Sequence, residues 1–163
     1  MRKKITFLFL LILSCNHGFS QTKLTRKEKD SIAKSETPLQ SKSVVYIIRS
    51  GLFGGAVDFR LDCDSFFVGR INSNTYLYTV VDSGDHVFKA RAENNFNLKV
   101  HLEGGKIYYY AIEAKMGIMT ARTKLRVLTD KEGTKYLSKY LISRHNSYPG
   151  FTYSRDERDD IDQ

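Results

Sequence analysis

Residues 57–81 read VDFRLDCDSFFVGRINSNTYLYTVV, and this stretch decides the class of fold. Apolar and polar side chains alternate along 57–63, which is the period of a strand with one buried face. The pattern is interrupted at DS (64–65) and NSN (72–74), and these residue types favour turns. Segments 57–63, 66–71 and 75–81 are therefore predicted to be three consecutive antiparallel strands.

The same pattern of short alternating segments separated by turn residues continues on both sides of this stretch. Five further strands are predicted at 44–49, 86–92, 96–102, 107–114 and 123–129. Near the end, Thr129 and Glu132 fit a capping box, and apolar residues at helical spacing predict a helix over 130–143. We therefore expect a mainly β fold: an antiparallel β-sandwich of about eight strands with one C-terminal amphipathic helix.

The chain begins with a segment that directs export. Three basic residues at 2–4 precede an apolar run at 5–13, which is too short to span a bilayer. Residues 1–20 are thus predicted to be a signal peptide, and two endings stay open. The sequence ILSC at 12–15 resembles a lipobox, in which Cys15 is acylated, whereas GFS at 18–20 permits ordinary cleavage before Gln21.

The rest of the chain divides into three parts. Residues 21–43 are polar, contain Pro38 and are predicted to be a linker with a short helix at 26–33. Residues 44–143 are the predicted sandwich domain with its C-terminal helix, and 144–163 are a predicted disordered, charged tail. The net charge is +8, of which the signal segment contributes three. A basic surface of this size is typical of a soluble protein, and no nucleic-acid partner is predicted.

Short motifs along the predicted strands occur in a recognisable order. They are VVYIIR at 44–49, D at 62 with GRI at 69–71, NTY at 74–76, SGDH at 83–86 and GGKIYY at 104–109. Together they resemble a bacterial domain-of-unknown-function family of exported or lipid-anchored modules, with the pattern VYVYR…DGxxiG…PGxH…aGxxYY. This pattern is similar to PEGA-type and prealbumin-like sandwich modules.

The resemblance covers residues 43–129. It implies a β-sandwich outside the cytoplasm, and it supplies no catalytic residues. Two turns depart from the family pattern, since Ser83 replaces a proline and Ser65 replaces a glycine. Serine and aspartate still favour turns, so these departures bear on function more than on fold.

His86, Asp62 and Asp64 are the candidate ligand-binding residues. His86 matches the histidine of the family motif, and a functional role requires a carboxylate partner such as Asp62 or Asp64. The simpler interpretation is a histidine that hydrogen-bonds to the turn before it.

Cys63 alternates with apolar residues and is interpreted as a small buried side chain. Asp58 and Asp62 share a strand face about 13 Å apart, so one ion cannot bridge them, and no metal site or cofactor is predicted.

No nucleophile elbow, paired catalytic carboxylates, zinc spacing or nucleotide fingerprint occurs in the sequence, and no enzyme is predicted. We expect an exported cell-envelope module with a non-enzymatic binding or structural role, whose partner is an envelope protein or glycan. It is either lipid-anchored through Cys15, periplasmic or secreted. The alternative is a small ligand- or metal-binding periplasmic protein centred on His86 with Asp62 or Asp64. An enzyme acting on glycans would need a clustered acid and base, which the spacing does not show.

Overall fold

The computed structural model of the chain describes residues 24–51, 57–92, 94–116 and 121–147. These contain ten strands and two helices: α1 (Arg26–Ser35), β1 (Lys42–Arg49), β2 (Phe59–Cys63), β3 (Phe66–Ile71), β4 (Thr75–Asp82), β5 (Gly84–Arg91), β6 (Asn95–Leu102), β7 (Ile107–Met116), β8 (Ala121–Val127), α2 (Asp130–Leu137), β9 (Leu141–Ile142) and β10 (His145–Asn146). The mainly β prediction is confirmed, and each of the eight predicted strands is present with its ends shifted by at most two residues. The predicted signal peptide, including Cys15, lies outside the described residues.

The strands form two five-stranded sheets. The first sheet has the order β8-β7-β1-β4-β9, and the second has the order β10-β3-β2-β5-β6. Two pairs, β1 with β7 and β4 with β9, are parallel, and the other pairs are antiparallel. The central strand β1 is buried on both faces, which explains its unbroken apolar run VVYII at 44–48.

Alternation of side chains creates two apolar layers. Val45 and Ile47 of β1 join Leu77 of β4 and strands of the second sheet in a core between the sheets. The intervening side chains of β1 and β4 point to the opposite face, where they pack beneath the two helices. The fold is therefore a sandwich with a helical layer over the outer face of its first sheet, and only the core between the sheets follows the predicted two-layer scheme.

Helix α1 corrects the prediction that residues 21–43 form a linker. The short helix expected at 26–33 is present, and its capping box is complete because Thr25 and Glu28 exchange backbone and side-chain hydrogen bonds. The helix does not stand free of the domain: Asp30 and Ala33 are buried against the first sheet. It has no apolar stripe, which is why hydropathy alone did not reveal its contact.

Tyrosine hydroxyls hold α1 in place. Tyr76 donates to Asp30 Oδ1 at 2.9 Å, and Tyr46 donates to the Ala33 carbonyl at 2.5 Å. Asp30 Oδ1 also accepts the backbone N–H of Ile142 at 2.8 Å, and Lys34 pairs with the other carboxylate oxygen at 2.7 Å. One buried carboxylate thus ties the helix to β4 and β9.

The C-terminal helix is shorter than predicted. It begins at Asp130 with the predicted Thr129–Glu132 capping box, but it ends at Leu137 instead of residue 143. The chain then turns to form β9, which adds to the edge of β4. Residues 145–147 belong to the domain through β10 and Ser147, so this start of the predicted disordered tail 144–163 is wrong, and 148–163 lie outside the described residues. Neither described helix has the length and apolarity needed to span a bilayer.

Candidate functional site

A cavity of about 530 Å³ opens between the two sheets, where β3 faces β4. We call it the seam cavity. Its apolar lining is Cys63, Phe66, Phe67, Val68, Val80 and Val81, and its polar lining is Lys42, Asp64, Thr79, Asp82, His86 and Ser147. The volume lies within the usual range for small-molecule sites, which are mostly apolar with a few placed polar groups.

The seam cavity lies where two neighbouring strands are only partly covered by other strands of the described structure. Within the described residues, β9 pairs with β4 only at Thr75 and Tyr76, and β10 pairs with β3 only at Gly69 and Arg70. Over the rest of their length, β3 and β4 have no other strand of the described residues beside them on that side. Phe66, at the open end of β3, is 74% exposed. A sheet edge of this kind, flanked by an apolar surface, is suited to ligand contact.

The wall of the cavity brings His86 to Asp64. The side-chain atoms His86 Nδ1 and Asp64 Oδ2 are 2.8 Å apart, and His86 Nε2 lies 2.9 Å from the carbonyl oxygen of Asp82. The second carboxylate oxygen, Asp64 Oδ1, accepts the backbone N–H of Val87 at 2.8 Å. Both sequence interpretations of His86 therefore describe real contacts, since it bonds the preceding turn and also has a carboxylate partner.

Local backbone geometry places Asp64 there. Asp64 occupies the turn between β2 and β3 with φ of 53°, a left-handed conformation that aspartate tolerates better than most residues. Its backbone N–H also donates to the Val87 carbonyl at 2.8 Å, so the turn is fastened to β5 by backbone and side chain. This fastening fixes the carboxylate beside His86.

Both members of this pair have perturbed pKa values. Burial alone would raise the pKa of Asp64, but hydrogen bonds from His86 and Val87 outweigh it and hold that pKa below the usual range. Burial alone would lower the pKa of His86, but its bonds to Asp64 and Asp82 outweigh it and raise that pKa. The opposite shifts favour an ion pair between the imidazolium and the carboxylate.

Cys63 lies next to this pair. Its side chain is 3% exposed in the core between the sheets, as the alternation predicted, and Sγ is 3.9 Å from Asp64 Oδ2. Burial raises the pKa of the thiol to about 12, with a further contribution from the Asp64 charge. The free thiol is thus protonated and unreactive toward electrophiles near neutral pH. The sequence showed no local base, because His86 reaches the thiol only through the pairing of β2 with β5.

Asp62, the third candidate, is not at this site. It lies on the outer face of the second sheet, where its carboxylate binds Arg60 at 2.8 Å and Arg91 at 3.2 Å. The pairing of β2 with β3 shifts register between Leu61 and Asp62, so the faces of these two strands cannot be matched by counting residues through the turn. The structure therefore separates Asp62 from His86 and Asp64.

Several residues that line the seam cavity were not predicted as site residues from the sequence. Phe66 and Phe67 are consecutive, so strand alternation cannot bury both, and this was the one available signal of an open edge. Lys42 and Asp82 form an ion pair at 2.7 Å on the rim, which joins the ends of β1 and β4. Their approach depends on strand register, which local sequence patterns do not report.

Comparisons with known proteins give no identification. A scan against protein-family models finds no match for this chain, and a search of the curated proteins also finds none. The family resemblance of the motifs thus stays a prediction. What the fold and the cavity define is a class: a β-sandwich with a helical layer and a ligand-sized opening between its sheets.

Proposed function

We propose that this chain is an exported, non-enzymatic binding module of the bacterial cell envelope. Its ligand is a small, largely apolar molecule with one hydrogen-bond donor. The observation that supports this proposal is the seam cavity, whose walls combine the apolar edges of β3 and β4 with the fixed Asp64 carboxylate. Apolar area would supply most of the binding free energy, and the carboxylate would orient the donor.

The export part of the proposal is supported by the basic and apolar segments that precede residue 21. It is tested by the intact mass of the protein recovered from fractionated cells. Loss of residues 1–14 with an added acyl mass on Cys15 indicates a lipid anchor, and loss of residues 1–20 without added mass indicates release. An intact N-terminus in the cytoplasmic fraction would refute export.

The binding part is tested with N-phenylnaphthylamine, a neutral apolar fluorophore that carries one N–H donor. We expect its fluorescence to rise on binding to the wild-type protein. Val81→Phe should abolish the rise, because Val81 lines the cavity and a larger ring there fills it. Val127→Phe is the matched control, since Val127 is 63% exposed on β8.

Asp64→Asn should weaken the binding of this probe while leaving the cavity open, because the amide keeps an acceptor oxygen but loses the charge. Equal binding by wild type and Val81→Phe, with both proteins folded by circular dichroism, would refute the seam cavity as the site.

A further inference from the structure

Three side chains with donor atoms suited to a metal ion meet in the wall of the seam cavity. Cys63 Sγ, a carboxylate oxygen of Asp64 and a ring nitrogen of His86 all lie within 4.8 Å of one another. Among the described residues, this is the one group of three or more Cys, His or acidic side chains with donor atoms so close. Cys63 comes from the end of β2, Asp64 from the following turn and His86 from the paired strand β5.

Backbone groups hold the two atoms that point away from the centre of this group, His86 Nε2 and Asp64 Oδ1. His86 Nε2 lies 2.9 Å from the Asp82 carbonyl, to which it donates, and this leaves Nδ1 directed at Asp64. Asp64 Oδ1 accepts from the Val87 N–H, and this leaves Oδ2 directed at His86 and Cys63. Metal-binding histidines and carboxylates are commonly oriented by such outer partners, which fix the ring and raise ligand basicity.

We infer that Cys63 Sγ, Asp64 Oδ2 and His86 Nδ1 form a site for a divalent transition-metal ion of the zinc type, with a fourth position open to the seam cavity. The inference deepens the proposed function, since it rests on the same cavity and makes the metal part of what that cavity binds. A thiolate and an imidazole favour Zn²⁺ over the hard cations Ca²⁺ and Mg²⁺. Three protein ligands with an open fourth position are typical of zinc sites that also bind an exogenous molecule.

The distances require a small adjustment. Tetrahedral zinc has bonds of about 2.0–2.3 Å, so its ligand atoms are about 3.3–3.7 Å apart. The present Nδ1–Oδ2 separation of 2.8 Å would widen by about half an ångström, and the widest separation, which is within 4.8 Å, would close by up to about 1 Å. The Asp64 side chain is 41% exposed, so Oδ2 can shift by this amount while Oδ1 keeps its bond to the Val87 N–H.

Binding of the ion must release protons. The short Nδ1–Oδ2 contact is held by one proton, and the metal displaces that proton to solvent as it binds both atoms. The Cys63 thiol gives up its proton to solvent and binds as the thiolate. No electron transfer is involved, and the ion keeps its oxidation state.

The test uses Co²⁺ and Zn²⁺ with the full chain carrying Cys15→Ser, which leaves Cys63 the only thiol of the chain. We expect one equivalent of Co²⁺ to produce a near-ultraviolet thiolate-to-cobalt charge-transfer band with tetrahedral visible bands. One equivalent of Zn²⁺ should then remove both. Zn²⁺ calorimetry in two buffers of different ionisation enthalpy should show proton release.

Cys63→Ala should remove the charge-transfer band, and His86→Gln should weaken Zn²⁺ binding by at least about 10-fold. His101→Gln is the matched control, because His101 also has a carboxylate partner, Asp85 at 2.7 Å, but is 68% exposed on β6. It should bind Zn²⁺ as the parent protein does. Should Cys63→Ala fail to fold, His86→Gln and Asp64→Asn carry the test.

The outcomes separate this inference from the proposed function. A parent protein that gives no charge-transfer band, or that binds Zn²⁺ no more tightly than His86→Gln, overturns the metal site. N-phenylnaphthylamine binding that Val81→Phe removes would then leave the cavity proposal standing alone. Metal binding without any binding of that probe supports the metal site and overturns the apolar-ligand part of the proposed function.

Discussion

Replacement of Asp30 by alanine tests how α1 is attached to the first sheet, which is a contact that the sequence did not predict. In the folded protein, one carboxylate oxygen accepts from the Tyr76 hydroxyl at 2.9 Å and from the Ile142 N–H at 2.8 Å. Tyr76 and Ile142 are fully buried, so Asp30→Ala leaves two buried donors without this acceptor. Each unsatisfied buried group costs about 1–3 kcal/mol, which gives about 2–6 kcal/mol for the pair.

Two effects decide where in that range the loss falls. The Tyr76 hydroxyl lies 3.5 Å from the Asp30 carbonyl and can shift toward it, which reduces the loss. The ion pair with Lys34 is partly exposed and contributes less than about 1 kcal/mol. We therefore expect a loss of about 3 kcal/mol, which is a large share of the 5–15 kcal/mol typical of a whole domain.

Urea unfolding followed by circular dichroism measures this loss as a lower midpoint at unchanged slope. Asp30→Asn keeps an acceptor for both donors and should lose about 1 kcal/mol. Lys27→Ala on the exposed side of α1 is the control and should change stability by less than about 0.5 kcal/mol. If Asp30→Ala were as stable as Lys27→Ala, the reasoning would fail and α1 would behave as the linker that the sequence predicted.

Three further predictions follow from the packing and the pKa shifts. Gly133→Ala should lower the stability measured in urea by about 1–3 kcal/mol although alanine has the better helix propensity, because the added carbon would collide with the Tyr109 ring. The control Lys135→Ala in the same helix should not destabilise the protein. In metal-free protein, the stability lost in His86→Gln should be largest between about pH 4 and 6.5. The stability difference between wild type and His86→Gln should shrink as pH rises through the raised pKa of His86, and also as pH falls through the lowered pKa of Asp64. Thermal melts that show the same difference at every pH would contradict the ion pair. In the Cys15→Ser background, Cys63 should resist iodoacetamide at pH 8 until urea unfolds the domain, because its pKa is about 12; rapid labelling of the native protein, measured by mass spectrometry, would contradict its burial.

The local part of the site could be predicted from sequence. Strand period placed Cys63 on the inner face of β2, and the turn residues located Asp64 correctly at the β2–β3 connection. The position of His86 directly after a turn also predicted a site residue that needs a carboxylate partner. It could not choose between Asp62 and Asp64, because that choice depends on which strand lies beside β2 and in which register.

The sequence by itself determined strands β1 to β8, their alternation and both helix starts, because these depend on side chains within a few residues of one another. It did not indicate the two short strands β9 and β10. Tertiary structure alone decided that a polar helix docks on buried tyrosines, since its attachment consists of hydrogen bonds to residues far along the chain. It also decided the seam cavity, which lies where β9 and β10 cover only parts of β4 and β3. Which part of a strand another strand covers depends on where segments far apart in the chain meet. The local alternation of side chains carries no information about it.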